Sequence, residues 1–142
     1  TQITNKADAL LFLSLLSGRN PEYLIGKHVK AISKLKASPL EVIPTGYILI
    51  ESGKITAVEE VTKTKPILRK NIENIVDTAK AGQFLGMKLI YLEAGSGAIK
   101  PLTSAIIENV KSEIRVEIFR LFKENNIQIP FPQRVLHMQK ED

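Results

Sequence analysis

With 142 residues, 44% of them hydrophobic and 25% charged, the chain has the balance of one soluble globular domain and falls far short of the ~250 residues of a complete eightfold β/α barrel. No apolar run approaches the ~18 residues of a membrane span, and the absence of cysteine excludes disulfides and thiolate chemistry, so a cytoplasmic setting is the expectation. The net charge of +5 is spread over lysines interleaved with glutamate (Lys27, Lys30, Lys34, Lys36, Lys63, Lys65, Lys80), the pattern of solvated helix faces and not of a nucleic-acid surface, although it suits a phosphorylated small substrate.

The N-terminal "TQITNKAD" lacks the basic and apolar regions of a signal peptide. "ALLFLSLL" (9–16) then reads as a strand covered on both faces, and "NPEYLIGKHVKAISKLK" (20–36) as a helix with Pro21 in its first turn and Ile25, Val29, Ile32 and Leu35 as its apolar stripe. "EVIPTGYILI" (41–50) predicts a second strand with Pro44 at an entrance or bulge. After the turn "ESGK", the β-branched "ITAVEEV" (55–61) predicts a short excursion strand. Asn71 is placed to cap a second helix that turns Ile72, Ile75, Val76 and Ala79 inward and ends at Gly86. "LIYLE" (89–93) predicts a third strand. A third helix follows Pro101, with Ile107, Val110, Ile114, Ile118 and Leu121 on one face, and Ile127, Ile129 and Phe131, broken by prolines, suggest an edge strand.

Strands alternating with helices imply right-handed crossovers and a mainly parallel sheet of three or four strands with covering helices. Ligands of such sheets collect beyond the C-terminal strand ends. Three loops lie there: "SGRNP", "ESGK" and "EAGSGAIKP". The last is chemically richest. Glu93 stands at the strand tip, Tyr91 points to the same side two residues earlier, and Gly95, Ser96 and Gly97 permit close backbone approach to a polar ligand. A phenol and a carboxylate facing one pocket can hydrogen-bond a polyol, and the carboxylate can act as a base. The same glycines also serve an ordinary strand-to-helix turn. Arg19 and Asn20 can reach an anion or cap a helix. His28 and His137 lack partners at metal-ligand spacing, and Ser14 and Ser17 lack a nucleophile-elbow context.

"ADALLFLSLLSGRNPEYLIGKHV", "EVIPTGYILIESGKITAVEEV", "TKPI" and above all "LGMKLIYLEAGSGA" resemble the geranylgeranylglyceryl and heptaprenylglyceryl phosphate synthases over about residues 5–111. The resemblance implies a magnesium-dependent prenyltransferase of the TIM-barrel fold that joins a prenyl diphosphate to sn-glycerol 1-phosphate. It assigns glycerol phosphate binding to Tyr91, Leu92, Glu93, Ala94, Gly95, Ser96 and Gly97, with Glu93 engaging the attacking hydroxyl. The matched part corresponds to the family's fourth to sixth barrel strands. The first strand, with its metal-binding aspartate, and the later phosphate loops have no counterpart, so this chain alone is expected to bind no magnesium and not to turn over. From about Ser112, "IRVEIFRLFKENNIQIPFPQRVLHM" is similar to the cytoplasmic end of small-conductance mechanosensitive channels. Together these imply one α/β domain, a partial (βα)8-barrel-like unit (1–111) joined to a channel-tail-like helix and edge strand (112–142), natural or engineered in origin. Its exposed sheet edges favour self-association.

Overall fold

The computed structural model describes residues 3–4, 6–95 and 98–124, with the backbone alone for 115–124. In chain order it contains β1 (Ala9–Leu15), a single π-helical turn (Glu22–Gly26), α1 (Lys27–Lys36), β2 (Glu41–Leu49), α2 (Ala57–Thr62), α3 (Ile72–Phe84), β3 (Leu89–Glu93) and α4 (Ser104–Glu124). The strands form one parallel sheet in the order β1-β2-β3. This is the expected α/β unit, consistent with part of a barrel. No described helix is long and apolar enough to cross a membrane.

The register decides which side chains go where. Leu13, Thr45 and Leu89 lie abreast, as do Leu15, Tyr47 and Tyr91, and then Leu49 and Glu93, so these residues share one face. Gly46, Ile48, Ile90 and Leu92 share the other, and the core sits there. Ile48 and Ile50 pack with Ile67, with Ile75 and Ala79 of α3, and with Ile106 and Val110 of α4, while Leu16, Ile90 and Leu92 border them. Two glycines allow this closeness. A Cβ on Gly46 of β2 or on Gly82 of α3 would meet the same two side-chain ends, Leu16 Cδ1 and Ile90 Cδ1.

On the opposite face Thr45 and Leu49 are fully buried, but Leu11, Leu13, Leu89 and Tyr91 remain 42–46% exposed. That face would line the interior of a closed barrel. Among the described residues these four side chains are left uncovered.

Four expectations are corrected. "ITAVEEV" is not a strand: residues 57–62 are helical, because Thr56 and Glu59 form a capping box in which the Thr56 hydroxyl accepts from Glu59 N (3.4 Å) and the Glu59 carboxylate accepts from Thr56 N (3.1 Å). On α1 the buried residues are His28, Ala31 and Leu35, whereas Ile25 and Val29 are 58% and 65% exposed. Ile25 lies in the π-helical turn, whose wider winding breaks the 3.6-residue count on which the stripe was drawn. On α4 the innermost residue is Ile106, and Ile107 sits on the flank.

Pro44 lies inside β2, opposite Phe12, not at an entrance or bulge. Its carbonyl accepts from Lys88 N at 2.9 Å, so the side on which it lacks a donor faces the residue just before β3 begins. Asn71 caps α3 as expected, accepting from Asn74 N at 3.2 Å, and Gly86 leaves it at φ +86°. The expected edge strand at Ile127, Ile129 and Phe131 lies outside the described residues.

Candidate functional site

The end of β3 is fixed from both sides. Its last carbonyl, that of Glu93, accepts from Ile50 N at 2.8 Å, which ties the strand tip to the extension of β2. Alternation then aims the Tyr91 and Glu93 side chains to the uncovered face, where Tyr47 joins them from β2. The two tyrosine rings stack with centroids 5.6 Å apart and planes 14° from parallel. Tyr47 was not singled out in the sequence. Its sequence signal is only an aromatic in a strand, and the parallel register is what brings it beside Tyr91.

Glu93 turns its carboxylate back onto its own loop: Gly95 N donates to Oε1 at 2.6 Å. Gly95 takes φ +95°, where L side chains are strained, and its carbonyl accepts from Ala98 N at 3.0 Å, closing the turn. Tyr91, Glu93 and Gly95 therefore come together. Leu92 does not join them through its side chain, which packs against the hydrophobic core, and Ala94 is buried. Ser96 and Gly97 lie outside the described residues.

The Glu93 charge shapes both phenols. The Tyr47 hydroxyl is pushed up to about 12, first by burial, then by the charge of Glu93, and last by Tyr91. The Tyr91 hydroxyl is also raised, chiefly by the Glu93 charge and then by its contact with the carboxylate. Both phenols are thus held protonated, as donors, beside a carboxylate acceptor. A raised folded-state value means that Tyr47 favours the folded state below the ordinary phenol value of about 10, and that this stability is lost as pH rises from about 10 through about 12. In an alkaline titration followed by phenolate absorbance, Tyr47→Phe removes a transition near pH 12, and Glu93→Gln moves that transition to lower pH. A wild-type tyrosine titration ending near pH 10 would contradict this environment.

The other candidates serve local structure. Arg19 donates to the carbonyls of Leu16 (3.1 Å) and Gly18 (2.8 Å), and Asn20 Oδ1 accepts from Glu22 N (3.0 Å). His28 is buried edge-on to Phe12, with centroids 4.2 Å apart. Ser14 donates to Leu24 O (2.8 Å), and Ser17 accepts from Leu49 N (2.9 Å). His137 lies outside the described residues.

The PcrB family profile matches residues 1–123. The chain belongs to the PcrB family. A geranylgeranylglyceryl phosphate synthase of Flavobacterium johnsoniae is 57% identical over 118 residues, which are 83% of this chain and 49% of the relative. Its counterpart in Zunongwangia profunda is 54% identical over 117 residues, 82% of this chain and 50% of the relative, and that of Pyrococcus furiosus is 40% identical over 116 residues, 82% of this chain and 45% of the relative. The PcrB chain thus spans about half the length of the curated relatives it matches. Among solved structures, the Thermoplasma acidophilum (S)-3-O-geranylgeranylglyceryl phosphate synthase in complex with sn-glycerol-1-phosphate superposes with a TM-score of 0.72 and 37% identity, over 78% of this chain and 44% of the other. The wild-type Thermoplasma volcanium enzyme gives 0.71 and 38%, over 78% and 43%.

The family match extends through residue 123, so the channel-tail resemblance, drawn from about Ser112, overlaps it along α4. Most of that second segment, 125–142, lies outside the described residues. The magnesium implied by the resemblance finds no matching donor set among the described residues. Among the described residues no three His, Asp or Glu side chains converge, and Glu93 is engaged by its own loop.

Proposed function

We propose that the chain carries the glycerol phosphate side of a prenylglyceryl phosphate synthase, and that by itself it binds sn-glycerol 1-phosphate without completing prenyl transfer. The observation that carries this reading is the convergence of Tyr91, Glu93 and the Gly95 turn on one face at the C-terminal end of β3. It is supported by family membership and by the likeness to a synthase described in complex with sn-glycerol-1-phosphate. The chemistry is straightforward. The two glycerol hydroxyls donate to the Glu93 carboxylate, the Tyr91 hydroxyl donates to a glycerol oxygen, and the glycine loop lets main-chain N–H groups approach the phosphate.

In the complete reaction the glycerol hydroxyl oxygen forms a bond to the allylic carbon, the bond from that carbon to the diphosphate oxygen breaks, and the diphosphate leaves with the electron pair. In this reading Glu93 takes the hydroxyl proton. Among the described residues no group of three His, Asp or Glu side chains could hold a metal ion to neutralise the departing diphosphate, which is why binding and not turnover is proposed.

Calorimetric titration tests the reading. Glycerol 1-phosphate binds the wild-type chain, and Glu93→Ala weakens binding by about 10- to 100-fold, the worth of one or two charge-assisted hydrogen bonds. No heat of binding with wild type would end the proposal. One observation favours a second reading, in which Glu93 only ties its loop: the 2.6 Å bond from Gly95 N. Under it Glu93→Ala lowers thermal stability and leaves phosphate binding unchanged.

A further inference from the structure

After the end of β2 the chain makes α2 and returns, and Ile67 pairs in parallel with Ile50. Ile67 N donates to Leu49 O and Glu51 N donates to Ile67 O, both at 2.9 Å, so this short segment is fastened to the strand above β1. Arg69 follows two residues later. Its own N–H donates to Glu51 Oε2 at 3.4 Å, which sets where its side chain starts.

From there the guanidinium crosses to the far side of β2. Nη1 donates to Glu51 O (3.3 Å) and to Lys100 O (2.9 Å), and Nη2 donates to Pro101 O (2.6 Å). The last two carbonyls belong to the segment joining the Glu93–Gly95 turn to α4. In the same segment Lys100 N donates to Ser52 O at 3.0 Å. The loop after β3 is therefore held at three points: Glu93 grips its near limb through Gly95 N, Ser52 O accepts from Lys100 N, and Arg69 grips its far limb through two carbonyls. A planar fork with several fixed N–H directions can bridge three carbonyls from two chain segments, whereas a single ammonium cannot hold that geometry.

We propose that Arg69 is the positioning residue for the candidate phosphate loop: by locking the far limb against β2 it holds Gly95 and residues 98–101 in ligand-binding shape, without itself touching the ligand. This rests on the glycerol phosphate reading above. It is invisible in the sequence, because the partners are main-chain carbonyls 18, 31 and 32 residues away.

Amide hydrogen exchange and calorimetry on the full chain, compared among wild type, Arg69→Met and Arg69→Lys, separate the two claims. In Arg69→Met the amides of Gly95, Ala98 and Lys100 exchange about tenfold faster, as expected for the loss of two or more anchoring bonds, while those of Ile48 and Ile75 keep their protection. Arg69→Lys recovers only part of the protection. Affinity for glycerol 1-phosphate falls about tenfold in Arg69→Met, and guanidinium ion at non-denaturing concentration restores it, an effect a purely structural role would not produce. Unchanged exchange at the three loop amides overturns the proposal, as does faster loop exchange with undiminished ligand affinity. If wild type itself fails to bind while the loop amides respond as expected, the functional reading falls and the clamp stands. If global unfolding obscures Arg69→Met, the same loop-to-core ratio is read in Arg69→Lys.

Discussion

Truncating Ile75 to alanine lowers the free energy of unfolding by about 3 to 4 kcal/mol, and the midpoint of urea denaturation falls by roughly 2 M. Ile75 is 0% exposed in the first turn of α3 and belongs to the cluster in which the β2 extension, α3 and α4 all meet. Removing its outer carbons strips contacts from Ile48, Ile50 and Ile106 together, and close-packed neighbours on a sheet and a second helix cannot all move in to fill the space. The loss is a large share of the 5–15 kcal/mol that stabilises an ordinary domain. Val76, next along α3 and only partly buried, is the internal control, since its truncation costs less than half as much. Equal effects at the two positions would mean that the core lies elsewhere.

Gly95→Ala acts through backbone and packing at once, and is expected to cost about 2 to 4 kcal/mol and to abolish measurable glycerol 1-phosphate binding. At φ +95° a non-glycine residue is strained, and the added Cβ falls on the side chain of Thr56, Cγ2 foremost. Thr56 has little freedom to give way. It is buried and caps α2 through its hydroxyl, so moving it also disturbs the capping box with Glu59. Thr56→Ser removes the methyl that meets the new Cβ and keeps the capping oxygen. The double variant Gly95→Ala/Thr56→Ser should therefore recover about 1 kcal/mol relative to the sum of the single changes, a coupling read by denaturation of all four proteins. Strict additivity would place the cost in the backbone alone.

Much of this architecture was legible in the sequence, for identifiable reasons. The three strands were found because each is a nearly continuous apolar run, even though one face of the sheet leaves Leu11, Leu13, Leu89 and Tyr91 exposed, and α3 because Asn71 and Gly86 bracket it. Tyr91, Glu93 and Gly95 were found because alternation along a strand and a turn glycine are both local rules. The failures came where a second rule competed. In 55–61 the β-branched residues outvoted Thr56 and Glu59, although a Thr followed three residues later by Glu is itself a helix-start signal. On α1 the period was counted through a π-helical turn that nothing in the composition marks. Tyr47 and Arg69 escaped because their roles depend on strand register and on carbonyls distant in the chain.

The pairing of Tyr47 with Tyr91 has an optical consequence. The chain has no tryptophan and three tyrosines, so its intrinsic emission comes from tyrosine alone, and two of the three emitters stack beside Glu93. The remaining one, Tyr23, donates to Val61 O away from that pair. A carboxylate close to a phenol quenches its fluorescence, so a ligand that draws Glu93 away brightens the protein, and the candidate site carries its own reporter without any label.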